Sequence, residues 1–115
     1  MLIAAIVFFI LAASLGLVLL TAILRDRPTY KPIVFMHGTI AGIALIILVT
    51  YVALGHTDTL LITSLVLFVL AALGGFTLFT FDINDKPIPK KLAIMHPLLA
   101  VVSLILLIVY VAQTV

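Results

Sequence analysis

Apolar residues run through this chain in four long stretches, residues 2–24, 33–54, 60–81 and 92–112, separated by three short polar segments. At ~1.5 Å per residue, each stretch reaches the ~20 residues a helix needs to cross the hydrocarbon of a bilayer. Almost nothing is left over for a soluble catalytic domain. Connections this short force consecutive helices to be antiparallel neighbours. The pattern therefore predicts an all-α fold: an integral membrane four-helix up-down bundle, with residues 1–115 as a single transmembrane domain.

The polar punctuation refines the four elements. Arg25-Asp26-Arg27-Pro28 ends the first helix, and Pro32 suits the first turn of the second because no amide donor is needed there. Gly55 to Thr59 forms a tight turn in which Asp58 or Thr59 caps the third helix, and His56 reads as a loop histidine. Pro97 falls inside the fourth helix, where it removes one backbone donor. Ala12 and Gly16 stand one turn apart, as do Ala71 and Gly75, a spacing that lets another backbone approach closely. Gly38 and Gly42 make a GxxxG, which reads as close helix packing. Nothing basic precedes the first stretch, and it is too long for the apolar core of a signal peptide. It is expected to be retained as a helix.

The four stretches are not independent. Sliding the chain by 59 positions matches Leu11-Ala12-Ala13 to Leu70-Ala71-Ala72, Gly16 to Gly75, Asp26 to Asp85, Pro28 to Pro87, Lys31 to Lys90 and Met36-His37 to Met95-His96. Tyr51-Val52-Ala53 likewise matches Tyr110-Val111-Ala112, all without a gap. Chance resemblance between apolar segments does not explain paired Gly, Asp, Pro, Lys, His and Tyr. The bundle is read as two tandem duplicated helical hairpins, repeat 1 over 1–56 and repeat 2 over 60–115. An even number of spans per repeat relates the halves by a pseudo-two-fold axis along the membrane normal.

Composition agrees with the pattern and adds a sidedness. The chain is 66% hydrophobic and 9% charged, outside the range of soluble proteins. It has no cysteine, so thiolate chemistry and disulfides are excluded. All six basic residues, Arg25, Arg27, Lys31, Lys86, Lys90 and Lys91, lie in the first and third connections. The positive-inside rule puts those connections in the cytoplasm and both termini outside it, in what is expected to be a bacterial inner (plasma) membrane. Tyr51 and Tyr110 then sit at the outer interface. The positive charge is a topology signal and does not point to nucleic acid, being divided between two short loops. The lipid bilayer is the one partner composition implies directly.

His37 and His96 carry the chemistry. Each lies about five residues into its helix, roughly 8 Å along it, on helices that run in the same direction. Facing inward, they meet across the bundle axis. Ala41, Ala44, Leu48 and Tyr51 follow His37 at helical spacing, and Ala100, Ser103, Leu107 and Tyr110 follow His96, so small residues leave room beside each ring. Gly16 and Gly75 fall at a similar depth and would flank a flat ligand. Zinc wants three or four protein ligands, which this chain does not supply. Copper would need Met36 and Met95, which point about 100° away from the adjacent histidines, so a compact His/Met site is strained and copper stays a minor option. Haem iron needs only two axial ligands, so haem b is the expected cofactor, with Lys31, Lys90 and Lys91 placed to pair its propionates.

Met95-His96-Pro97-Leu98-Leu99 resembles the His-Pro segment of the cytochrome b561 family, and Met36-His37-Gly38 resembles another haem-bearing helix start of that family. The resemblance covers these two segments. It implies His37 and His96 as axial ligands of one b-type haem. Proteins of that family carry four such histidines for two haems on opposite sides of the membrane, so a second haem is not implied here.

The functional expectation is a small membrane b-type cytochrome for electron transport, binding metal as haem iron, or a haem-bearing subunit of a larger redox complex or homo-oligomer. No nucleophile–base pair, phosphate loop or intramembrane carboxylate pair suggests a stand-alone enzyme. The alternative is a non-catalytic membrane scaffold or assembly subunit in which the histidines are interhelical polar contacts. A small transporter with parallel repeats ranks last, for want of buried carboxylates.

Overall fold

The computed structural model describes residues 1–114, which form four α-helices: α1 (Leu2–Leu24), α2 (Lys31–Ala53), α3 (Thr59–Ile83) and α4 (Lys90–Thr114). No strand occurs among the described residues. All four helices are long and apolar enough to cross a membrane. The long axis of the molecule, 42 Å, matches the ~40–45 Å of a bilayer with its headgroup regions.

The last three helices begin one or two residues before their apolar stretches because polar residues serve their first turns. Pro32 occupies the first turn of α2. The Asp58 carboxylate accepts the Leu60 amide at 2.9 Å and caps α3. Pro97 lies within α4, which continues through it. The turns after α1 and α3 are built alike. Asp26 and Asp85 adopt left-handed backbone, at φ 54° and 53°. The amides of Arg27 and Lys86 donate back to the carbonyls of Ala22 and Phe81, each at 2.9 Å. Those of Asp26 and Asp85 donate to Ile23 and Asp82. Both are Schellman closures, with aspartate in the place glycine usually takes.

The helices form a square. α1 packs most extensively on α2 and α3 on α4, while α1–α4 and α2–α3 contacts close the ring. Across the α1–α3 diagonal, Phe9 and Phe68 stack with ring centres 3.9 Å apart and planes 4° from parallel. Most buried residues fall in pairs 59 apart: Leu2 and Leu61, Ala5 and Ser64, Phe9 and Phe68, Ala12 and Ala71, Ala44 and Ser103, Leu48 and Leu107. Where the first half has Ala5 and Ala44, the second has serines. The Ser64 hydroxyl donates to the Ser103 carbonyl at 2.8 Å, and the Ser103 hydroxyl to the Leu99 carbonyl at 2.7 Å.

The core is lopsided along the axis. Its cluster of Leu2, Ala5, Phe9, Ala44, Leu48, Leu61, Phe68, Leu107 and Tyr110 lies wholly between the histidines and the end bearing the termini. Between the histidines and the basic end, only Thr29 and Ala93 are buried among the described residues. Leu19, Leu20, Leu78, Phe79 and Leu92 there are half-buried.

The GxxxG of α2 does not do what its spacing suggests. A β-carbon at Gly38 or Gly42 would meet nothing within 4 Å. The pair faces away from the other three helices, so it brings no neighbour close within this chain. The glycines that a neighbouring helix does approach are Gly16 and Gly75, each met by a histidine ring.

Candidate functional site between two histidines

α2 and α4 are diagonal in the square, and each sends a histidine inward. The two rings lie with centres 6.2 Å apart and planes at 90°. Each ring crosses to the other helix of its own hairpin. His37 Nδ1 is 2.7 Å from the Ala12 carbonyl oxygen, and His96 Nδ1 is 2.6 Å from that of Ala71.

The small-residue spacing explains how a ring reaches a backbone carbonyl inside a helix. A helical carbonyl has two lone pairs, and its own helix uses one. Side chains tilt toward the helix N-terminus, so the residue four further on covers that carbonyl with its β-carbon. Here that residue is Gly16 or Gly75. A β-carbon at Gly16 would stand 2.9 Å from His37 Cε1, and one at Gly75 would stand 3.0 Å from His96 Cε1. The Ala12/Gly16 and Ala71/Gly75 pairs thus admit an imidazole, where the spacing alone had suggested an approaching backbone. The glycines flank the rings themselves.

This contact fixes the chemistry of each ring. A carbonyl oxygen only accepts, so Nδ1 must carry the proton, and in the neutral ring the lone pair is left on Nε2. Neither Nε2 makes a hydrogen bond among the described residues. An imidazole held through Nδ1–H on a carbonyl is fixed in orientation and tautomer, which is how metal-binding histidines are commonly supported. Among the described residues no three or more of His, Asp and Glu converge, so a centre needing three protein ligands is not provided. Two opposed imidazoles suit a centre whose remaining ligands come from elsewhere.

The other expected site residues are placed as follows. Ala41 and Ala100 are half-buried one turn below the histidines, and Ala44, Leu48, Ser103, Leu107 and Tyr110 continue the inward faces as buried residues. Lys31 and Lys90 are already engaged. Lys31 Nζ is 2.9 Å from Asp82 Oδ2, and Lys90 Nζ is 3.1 Å from Asp26 Oδ1. Both pairs cross between the halves. The Thr29 hydroxyl lies 2.8 Å from each Asp82 oxygen, which fixes that carboxylate further. Within the chain both lysines thus meet carboxylates. His56 is remote, stacked on Tyr51 at 3.8 Å in the turn between α2 and α3.

Two features were not read from the sequence. The Ala12 and Ala71 carbonyls are backbone groups, and only the glycine four residues later marks them. The Phe9–Phe68 stack lies one turn beyond Ala12 and Ala71 and floors the histidine layer. Its signal was the repeat itself, since both phenylalanines occupy one position of it. Comparison with protein-family models, with curated proteins and with solved structures finds no match to this chain.

Proposed function

We propose that this chain is a small membrane b-type cytochrome that holds one haem b between His37 and His96, serving electron transfer alone or as the haem-bearing subunit of a larger complex. One observation carries the reading: two imidazoles equivalent in the repeat, each tied through Nδ1 and each with Nε2 unpartnered among the described residues, lie with ring centres 6.2 Å apart inside the bundle. Two imidazole–metal bonds of ~2 Å, with roughly 1 Å from each nitrogen to its ring centre, call for about 6 Å between ring centres. The observed 6.2 Å fits. The sparser burial of side chains on the basic side of the histidines also favours a bound group there.

Bound haem would supply one-electron chemistry. The residues of the chain hold and orient. The Ala12 and Ala71 carbonyls keep both rings in the Nε2-ligating tautomer, and the Phe9–Phe68 stack closes the site toward the termini. The His-Pro segment, similar to that of cytochrome b561 proteins, agrees with this assignment. The basic end is assigned to the cytoplasm and the termini to the other side of a bacterial inner membrane, on the charge of the connections.

A second reading has an observation of its own. The bonds from His37 and His96 to carbonyls of neighbouring helices are polar contacts complete in themselves, and the open Gly38/Gly42 face suits a scaffold that docks another helix. Absorbance separates the two. Protein purified from cells supplied with haem precursor should show a Soret band and sharp reduced bands at about one haem per chain. A colourless protein would favour the scaffold.

A further inference from the structure

A pocket of about 320 Å³ opens between the two turns of the basic end, lined by residues 26–29 of the first turn with Ile23 and Lys31, and by residues 85–88 of the second with Asp82. Its two walls are repeats of each other: Asp26 answers Asp85, Arg27 answers Lys86 and Pro28 answers Pro87. The pocket therefore lies where the relation that pairs His37 with His96 also pairs its own walls. Lys31 is six residues before His37, about 9 Å along α2.

The charges of the lining are not all free. Lys31 is paired with Asp82, and Asp26 with Lys90. Arg27 and Lys86 make no ion pair among the described residues, and Asp85 is the one lining carboxylate likewise without a pair. Over the whole basic end, six cations face three carboxylates. The Schellman closures hold Arg27 and Lys86 at the same place in two like turns.

We propose that this pocket receives the two carboxylates of the group bound between the histidines, with Arg27 and Lys86 each pairing one. The inference rests on the haem reading and sharpens it. Haem b carries its two propionates on one edge, and two equivalent unpaired cations beyond one edge of the histidine layer, at an end where six cations face three carboxylates, suit them in number and approximate symmetry. Lys31 and Lys90 already have carboxylate partners within the chain, which leaves Arg27 and Lys86 as the unpaired cations of the two walls.

The test is titration of the purified full chain in neutral detergent with ferric haem b and, separately, with its dimethyl ester, which lacks both charges. The low-spin bis-imidazole spectrum reports binding. Wild type should prefer haem b by about tenfold or more, the scale of a lost charge-assisted pair. R27Q/K86Q should lose the preference while still giving the low-spin spectrum with both compounds. R25Q removes a charge of the same end from outside the pocket and should keep it. Equal binding of the two compounds by wild type, or loss of the preference in R25Q as complete as in R27Q/K86Q, overturns the carboxylate assignment and leaves the bis-histidine site standing. A wild type that gives no low-spin spectrum with either compound overturns both.

Discussion

At Gly16 and Gly75 the absence of a single carbon decides whether an imidazole reaches the carbonyl one turn earlier. A methyl group would stand 2.9 or 3.0 Å from the ring, and the ring is held by its bond to Ala12 or Ala71, so it has little room to give. Gly16→Ala and Gly75→Ala should each cost about 1–3 kcal/mol as overpacking and weaken haem retention several-fold, read by chemical denaturation and by haem content of the purified variants. Gly38→Ala and Gly42→Ala should change stability by under about 0.5 kcal/mol, since the added carbon meets nothing. Equal effects at all four glycines would contradict this. The sequence marked both kinds of glycine by spacing but did not tell them apart. What distinguishes Gly16 is a histidine 21 positions away that turns toward it, and that is a tertiary fact.

Among the helices, α3 and α4 differ from α1 and α2 by the buried serines and by Pro97, while the Phe9–Phe68 stack joins the halves across a diagonal. Lipid is as apolar as the phenylalanine side chain, so removing one ring loses packing and opens a cavity with no transfer term from water. Phe9→Ala and Phe68→Ala should therefore destabilise the bundle by more than about 1 kcal/mol. Ser64→Ala should cost only ~0.6 kcal/mol, because its counterpart Ala5 already fills the equivalent place. Unfolding in detergent measures both, and a serine effect larger than the phenylalanine effects would count against the stack as the joint between halves. Helix number and approximate bounds were legible because length and hydropathy alone decide them in a membrane protein. The extra residues at Lys31, Thr59 and Lys90 were not, since capping and first-turn chemistry carry helices into polar sequence. The Schellman turns escaped notice because aspartate stands where glycine would have marked them.

For the whole molecule, two cross-half ion pairs, Lys31–Asp82 and Lys90–Asp26, sit at the end that carries all the basic residues. Both are largely exposed on the lysine side and are worth at most about 1 kcal/mol each, so they set register more than stability. That lysines 59 apart would choose carboxylates of the opposite half was not legible, because Asp82 has no counterpart in the first half: Ile23 occupies that position. Sidedness is tested by single cysteines at exposed positions in intact cells. Thr57→Cys should react with a membrane-impermeant thiol reagent from outside and Asn84→Cys should not, whereas the reverse pattern would invert the topology. Thr29 is a poor probe of the same loop, being buried against Asp82. The central claim is the shared ligand between two histidines, and the visible spectrum of the purified protein tests it most directly. Wild type and His56→Ala should show the same low-spin bands at about one haem per chain, and His37→Ala and His96→Ala should each lose them. A colourless wild type, or a low-spin spectrum that survives both substitutions, would contradict the account.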